Sequence, residues 1–309
     1  MLKQRLEWKI KRFRRQLEQQ IESFKNLWRG TQVSTRMCPN CRALVAVGEK
    51  RCEFCGEKLR RRPSGLGKLL QKVLPHYAPV SYSLLTANFL FFLLIFYTDR
   101  DSSAQDLQRL LGGSNSSALA AWGADVAWLV QRGQWWRLIS AIFIHIGIIH
   151  LAFNSYALIF IGPLLEELLG KERFLVLYLT TGAFGFLLSN WYYPPILTTA
   201  GASGAIFGMI GVAIVLSKRW STWGSVLHQQ LVHWAIYGFV YGLLLGANNA
   251  AHLGGFVAGV ALAFTLGNPN RAETVVSQQR LWTILFWGSV VITLGALALA
   301  LQFRFRSIS

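Results

Sequence analysis

The sequence predicts an all-α polytopic membrane protein with a small cysteine-rich module at its N-terminus. Of its 309 residues, 53% are hydrophobic and only 15% are charged, whereas about a quarter of an average soluble domain is charged. The positive charge is concentrated at one end, because residues 1–79 hold 19 of the 31 Lys and Arg side chains and 6 of the 14 Asp and Glu. This composition excludes a disordered chain, a collagen-like chain and a small disulfide scaffold.

Residues 1–29 are the first predicted element, a basic amphipathic helix. Nine Lys and Arg without an apolar core segment exclude a secretory signal. A helix lying on the anionic cytoplasmic leaflet and a helix packed on protein both fit the pattern. The apolar side chains recur at steps of three and four residues, the period of one helical face, and they are Leu6, Ile10, Phe13, Leu17, Ile21, Phe24 and Trp28.

Residues 30–62 are predicted to form a zinc-ribbon module. Four thiolates in the order C-x2-C-x10-C-x2-C suit one structural, tetrahedral Zn²⁺, and two redox pairs are the alternative. A stretch this short has no room for a hydrophobic core, so metal binding would supply the folding free energy. The four predicted metal ligands are Cys38, Cys41, Cys52 and Cys55.

A basic run at 58–62 leads from this module into a predicted juxtamembrane linker, 63–77. Such a run is typical of a segment at the membrane surface, and nucleic-acid binding is the less favoured interpretation. Zinc ribbons bind other macromolecules, so we expect the module to have a cytoplasmic partner that the sequence does not identify.

Seven apolar stretches follow, each near the ~20 residues that a bilayer core requires. None contains Asp or Glu. The basic head is predicted to be cytoplasmic, so odd-numbered spans run outward and even-numbered spans run inward. The long amphipathic segment between the first two spans ends in Trp135-Trp136-Arg137, at the membrane interface. The predicted spans are 78–97, 138–161, 173–192, 201–217, 225–246, 251–267 and 281–303.

Polar side chains inside three of these spans are candidates for function, because ionisable groups are costly in hydrocarbon. The second span carries His150, the fourth begins beside Ser203 and the sixth begins beside His252. Each of them lies 15 or 16 residues before a polar residue at the inner boundary, or about 22–24 Å at the rise of an α-helix. These boundary residues are Glu166, Lys218 and Asn268. The three spans all run inward, so these groups share one level in the outer half of the membrane.

Helical phase and small residues indicate which of these polar side chains lie close together. Asn154 shares a helix face with His150, whereas His145 is predicted on the opposite face as a packing residue. Glycines recur along the fourth span and in a GxxxG pair on the sixth. Small residues at this spacing let helices approach closely, which would bring Ser203 against His252. Ordinary helix packing is the alternative for the glycines, and a hydrogen bond to its own helix is the alternative for Ser203.

These residue types together suit nucleophilic catalysis. A serine hydroxyl needs a base, and the oxyanion that forms needs hydrogen-bond donors. His252 can take the proton of Ser203, while His150, the Asn154 amide and the Ser203 backbone N–H can donate to the oxyanion. No carboxylate is predicted at this depth, so the arrangement is expected to be a dyad rather than a triad.

The same residues, in this order and on these spans, resemble the rhomboid family of intramembrane serine proteases. The resemblance runs from about residue 80 to 268, and the quoted motifs carry it: Trp136-Arg137, His145-x4-His150-x3-Asn154, Gly201-Ala202-Ser203-Gly204 and Ala251-His252-Leu253-Gly254-Gly255 with Gly259. One departure is Phe207, where some members have a Tyr that stacks on the catalytic His.

The resemblance implies a fold, a location and an activity. The core would be a six-helix catalytic domain, 78–268, followed by a seventh transmembrane helix and tail, 269–309. Ser203 would be the nucleophile and His252 the base, with an oxyanion site from His150 and Asn154. The protein would lie in the cell membrane and cleave single-span transmembrane proteins near their outer end, without metal or cofactor.

Two alternatives remain at this stage. Rhomboid-like proteins that bind membrane clients without cutting them usually lack the serine or the histidine, and this chain has both. A transporter would usually show internal repeats, broken helices in both halves and charges at the midplane, and the sequence has no such repeat.

Overall fold

A computed structural model describes the membrane-spanning part of the chain and fragments of the N-terminal module. The chain divides into two compact units, Met1–Pro75 and His76–Ser309. The predicted helix 1–29, the linker 63–77 and two of the four cysteines, Cys38 and Cys41, lie outside the described residues. Those residues are 35–37, 44–46, 49–56, 78–98, 115–220, 224–244, 246–266 and 272–306.

The first unit contains a short antiparallel hairpin. Strand β1 (Thr35–Met37) pairs with β2 (Leu44–Ala46), with Thr35 opposite Ala46. The second cysteine pair follows this hairpin. There the Gly56 N–H donates to the carbonyl oxygen of Cys52 at 2.9 Å, and Gly56 has a φ of +72°, a left-handed conformation that favours glycine.

The second unit is almost wholly helical. Two very short strands, β3 (Asp125–Val126) and β4 (Thr198–Thr199), pair antiparallel within it. A 3₁₀ turn, Ala141–Phe143, follows the fourth helix. The helices are α1 (Pro79–Thr98), α2 (Ser116–Ala121), α3 (Ala127–Gln131), α4 (Arg137–Ser140), α5 (Ile148–Leu169), α6 (Lys171–Tyr192), α7 (Ser203–Trp220), α8 (Gly224–Leu244), α9 (Asn249–Ala263) and α10 (Ala272–Arg306).

Several of these helices suit a bilayer. Among the described residues, four helices are long and apolar enough to cross a membrane: α1, α5, α6 and the Gln279–Phe305 part of α10. Shorter apolar helices cover Ser203–Lys218 and Asn249–Ala263. A membrane protein with several apolar helices is therefore the architecture that the structure supports.

Helices α6, α7 and α9 form the centre of this unit, and glycines set their spacing. A methyl group on Gly255 would overlap the carbonyl oxygen of Gly204, and one on Gly259 would overlap that of Gly208. A methyl group on Gly185 of α6 would lie 2.7 Å from the Ala251 carbonyl oxygen. Three helices thus meet backbone to backbone, as small residues allow.

The start of the second long helix differs from the sequence prediction. The apolar stretch predicted from residue 138 is not helical throughout, because α4 and the 3₁₀ turn precede α5, which begins at Ile148. The prediction that His145 faces away from His150 on the same helix is therefore wrong. His145 lies before the helix, is buried, and its ring centroid is 5.3 Å from that of His150.

Helix α5 extends beyond residue 161, where the predicted second span ended, and its last turns contain a carboxylate. Glu166 is buried at 4% exposure. Its carboxylate accepts the Val80 N–H at 2.9 Å, the Ser81 N–H at 2.7 Å and the Ser81 hydroxyl at 2.8 Å. The first N–H groups of a helix have no acceptor within the helix, so Glu166 caps α1 from a neighbouring helix.

Candidate active site

The segment that leads into Ser203 is held by the long loop between α1 and α5. Its strand β4 pairs with β3, so that Thr199 lies opposite Asp125. Two residues later, the Gly201 N–H donates to the Ala141 carbonyl oxygen at 2.9 Å. Helix α7 then begins at Ser203 itself. The serine is therefore the first residue of a helix whose entry is fixed by backbone hydrogen bonds on two sides.

Ser203 and His252 are in direct contact. The Ser203 Oγ lies 2.9 Å from the His252 Nε2, within hydrogen-bond distance. Ser203 is half-buried and His252 is 6% exposed. The close approach of α7 and α9 at Gly204 and Gly255 places both side chains at the same end of the helix pair.

Aromatic rings fix the plane of the His252 imidazole. Phe207, one turn beyond Ser203, stacks on it with ring centroids 4.3 Å apart and an interplanar angle of 15°. Phe239 of α8 approaches the imidazole edge-on at 6.3 Å. The ring at position 207 thus stacks without the hydroxyl that a tyrosine would add.

Asn249 is a neighbour of His252 that the sequence analysis missed. Its Oδ1 lies 3.1 Å from the His252 Nδ1. If Nδ1 carries the proton, Asn249 accepts it in a hydrogen bond and Nε2 is left free to accept from Ser203. The three-residue spacing, which places both residues on one helix face, is the sequence signal from which this contact could have been predicted.

The other two predicted site residues lie on α5, beside the entry to α7. The His150 ring packs on Gly201, where an added methyl group would lie 2.8 Å from the His150 Nε2. Gly201 has a φ of +132°, a conformation that other residues rarely adopt. Asn154 is 5% exposed, and its Nδ2 donates to the His150 carbonyl oxygen at 3.0 Å. His150 therefore contacts the backbone two residues before Ser203. Asn154 lies one turn further along α5.

Two buried ionisable side chains, Asp125 and Arg137, lie in the loop between α1 and α5. Asp125 and Arg137 are both 0% exposed. Burial raises the pKa of Asp125 to about 7, although a hydrogen bond from Asn190 and the nearby Arg137 act to lower it. Burial also lowers the pKa of Arg137 to about 10, opposed by Asp125. Arg137 donates to the carbonyl oxygens of Ala120 at 2.6 Å and Ala124 at 2.8 Å.

The pKa of Asp125 predicts how stability depends on pH. The folded protein keeps a proton on this carboxyl up to about pH 7, whereas the unfolded chain loses it near the ordinary value of 3.8. The stability that this group contributes is therefore complete below its unfolded pKa and is lost as the pH rises through 7. We expect Asp125→Asn to reduce the fall in Tm between about pH 5 and about pH 8. An unchanged fall in Tm would contradict the prediction.

The model of the rhomboid domain family matches residues 132–269. Rhomboid protease GluP of Bacillus subtilis is 37% identical over 161 residues, which are 51% of this chain and 31% of GluP. YdcA of the same organism, a rhomboid protease by its name, is 35% identical over 140 residues, which are 44% of this chain and 69% of YdcA. The chain belongs to the rhomboid family.

The rhomboid match contains the whole candidate site. Residues 132–269 include His150, Asn154, Ser203 and His252, while α1 and α10 lie outside the matched range. RHOMBOID-like protein 2 of Arabidopsis thaliana is 33% identical over a longer stretch of 211 residues, 63% of this chain and 66% of that protein. The matched part of this chain covers less than two thirds of GluP and of RHOMBOID-like protein 2.

Proposed function

We propose that this rhomboid-family protein is an intramembrane serine endopeptidase that cleaves single-span transmembrane proteins near the outer side of the membrane. The observation that carries the proposal is the 2.9 Å contact between the Ser203 Oγ and the His252 Nε2 at the starts of two apolar helices. Relatives that are named as rhomboid proteases, GluP among them, support the same chemistry.

The proposed reaction follows from the positions of these groups. His252 Nε2 accepts the hydroxyl proton while the Ser203 Oγ attacks the substrate carbonyl carbon, forming a tetrahedral oxyanion. Collapse breaks the peptide C–N bond, and His252 passes its proton to the leaving amine. Water then attacks the acyl-enzyme with His252 again as the base, releasing the carboxylic acid and restoring Ser203. Asn249 holds the imidazole in the tautomer that this cycle requires.

Seven transmembrane helices are part of the proposal: α1, α5, α6, α7, α8, α9 and α10. The basic N-terminal head supports a cytoplasmic N-terminus. The site then opens to the outer side, because β4, which precedes Ser203, pairs with a strand of the outer loop. Water reaches the acyl-enzyme from that side.

A single-span substrate reconstituted with the protein in liposomes tests the function. A transmembrane helix hides its carbonyl groups in internal hydrogen bonds, so we expect cleavage near the outer end of the span, at small residues followed by helix-breaking Gly or Pro. The masses of the two products give the position of the cut. A substrate that is bound but never cut would instead indicate a client-binding protein.

The oxyanion site gives a separate prediction. The negative charge exists only in the transition state, so Asn154→Ala is expected to lower kcat by about 10²–10³-fold with little change in KM. Ser155→Ala, the neighbouring position on α5, is the matched control and should leave both values unchanged. Normal turnover by Asn154→Ala would show that backbone groups alone hold the oxyanion.

The N-terminal module is proposed to bind one structural Zn²⁺ through Cys38, Cys41, Cys52 and Cys55. The hairpin β1–β2 supports this, because its connection carries the first cysteine pair. The Gly56 N–H bond to the Cys52 carbonyl, directly after the second pair, supports it as well. Cys52 is buried and Cys55 is exposed. Four sulfur ligands fill a tetrahedral site, which leaves no position for substrate and makes the metal structural.

Metal analysis of the purified full-length chain tests the zinc proposal. We expect about one equivalent of zinc per chain, lost in Cys52→Ser/Cys55→Ser. Cleavage of the single-span substrate in detergent should persist in that variant, because the metal has no part in the reaction. Clearly less than one equivalent in the unaltered protein would refute a structural zinc ribbon.

A further inference from the structure

The outer end of α10 packs against the loop between α1 and α5. The Phe303 ring centroid lies 6.1 Å from that of Trp136, and the Arg137 guanidinium carbon lies 4.9 Å from the Phe303 ring. The same guanidinium carbon is 4.7 Å from the Trp136 ring. Arg137 is therefore a buried cation that contacts two aromatic rings, one of which comes from α10. Such contacts are strongest when the cation is desolvated.

A second set of contacts lies beside the first. Phe305 meets Trp122 edge-on at 6.4 Å, and the Arg304 guanidinium carbon lies 5.6 Å from the Trp122 ring. A methyl group on Gly123 would lie 2.9 Å from the Ala300 Cβ, and Ala300 is itself 0% exposed. The last two turns of α10 thus cover the loop segment that contains Trp122 and Gly123.

That loop segment leads directly to the nucleophile. Trp122 and Ala124 belong to the buried cluster that also contains Ala200, and Leu301 of α10 packs against this cluster. The next residue, Asp125, pairs with Thr199 through β3 and β4. Only three residues separate Thr199 from Ser203. A displacement at the end of α10 would therefore pass to the entry of α7 through two layers of contact.

The middle of α10 has one packed face and one exposed face. Phe286, Val290 and Leu297 pack against the main hydrophobic core. Leu294 is 63% exposed, Val291 is 67% exposed and Ile284 is 69% exposed. Near its inner end the helix is held at Trp282, which is 9% exposed and lies 5.5 Å from the Arg173 guanidinium carbon. The helix is thus held along one face, and its opposite face is apolar and exposed, as suits contact with lipid.

We propose that the outer end of α10 is a brace for the active site and that Phe303 is its main positioning residue. The inference rests on the proposed protease function and assigns a role to a helix outside the matched rhomboid domain. By packing on Trp136 and Arg137, Phe303 fixes the loop that pairs with β4 and thereby the position of Ser203 relative to His150. It does not touch the substrate.

Phe303→Leu in the full-length protein tests this role, because it keeps apolar volume and removes the ring. Displacement of about 1 Å remote from the chemistry can cost 10²-fold, so we expect kcat to fall about tenfold to a hundredfold with KM within about twofold. Phe303→Tyr keeps the ring and should restore kcat. Leu294→Ala, on the exposed middle of the same helix, is the control and should match the unaltered protein.

A second measurement does not depend on proteolysis. Hydrogen–deuterium exchange of the 198–201 amides should be faster in Phe303→Leu than in Leu294→Ala. The two proposals can fail separately. If exchange is faster in Phe303→Leu but the unaltered protein neither cuts substrate nor reacts with a fluorophosphonate at Ser203, the brace is supported and the protease function is refuted. Unchanged kcat and exchange in Phe303→Leu would overturn the brace. An equal loss of kcat in Leu294→Ala would overturn it as well. So would global unfolding of both Phe303→Leu and Phe303→Tyr.

Discussion

Ser203→Ala is expected to abolish cleavage of a single-span substrate while the protein stays folded and inserted. The hydroxyl supplies the nucleophile that attacks the peptide carbonyl, and removal of a serine protease nucleophile lowers kcat by about 10⁶-fold. His252→Ala should have a similar effect, because the serine is weak without its base. The double variant should be no worse than either single variant, since the two residues act as one unit. The rate of product formation in liposomes measures all three.

The chain provides a matched control for this pair. Ser217 lies on the same helix, and its Oγ is 2.8 Å from the His228 Nδ1, so it forms a second Ser–His contact. This second pair has neither the Phe207 ring nor an α5 histidine beside it among its described contacts. Ser217→Ala should therefore leave cleavage unchanged. Undiminished proteolysis in Ser203→Ala, or loss in Ser217→Ala alone, would show that the site has been misplaced.

Gly255→Ala is expected to have the second largest effect. The added methyl group would overlap the Gly204 carbonyl oxygen, so α9 must move away from α7. Overpacking of this kind costs about 1–3 kcal/mol. The same movement separates His252 from Ser203, and we expect cleavage to fall at least about 100-fold. Thermal unfolding in detergent and the cleavage rate measure the two consequences.

Gly295→Ala is a control that distinguishes the effect of packing from the effect of helix propensity. Gly295 of α10 has open space where its methyl group would lie. Gly295→Ala should therefore be neutral or slightly stabilising, because glycine in a helix costs up to about 1 kcal/mol relative to alanine. Equal Tm values and cleavage rates for Gly255→Ala and Gly295→Ala would contradict the packing argument.

Several features of the fold and site could be predicted from the sequence because they depend on helical period. Glycines at steps of three and four predicted close helices, and the structure pairs Gly204 with Gly255 and Gly208 with Gly259. Equal distance from the inner ends of three spans predicted that Ser203 and His252 share a level, and their side chains are in contact. The structure also places His150 beside Gly201.

Other features could not be predicted because they depend on contacts between distant segments. Hydropathy alone extended the second span to residue 138, whereas the structure has two short helical turns there. The buried Arg137 side chain links the first of these turns to the preceding loop by donating to the carbonyl oxygens of Ala120 and Ala124. The β3–β4 pairing joins segments more than 70 residues apart and has only two residues on each side. Strands this short leave no periodic pattern in a sequence.

The carboxylate that caps α1 has a consequence for the order in which the protein is assembled. Helix α1 is synthesised first, but the acceptor for its Ser81 N–H is Glu166, 85 residues later. At about 5–20 residues per second, the ribosome needs roughly 4–17 s to supply it. During that interval water or lipid headgroups must solvate the first turn of α1. The synthesis of α5 therefore supplies the missing acceptor, and the first turn of α1 is complete only after the intervening loop has been made.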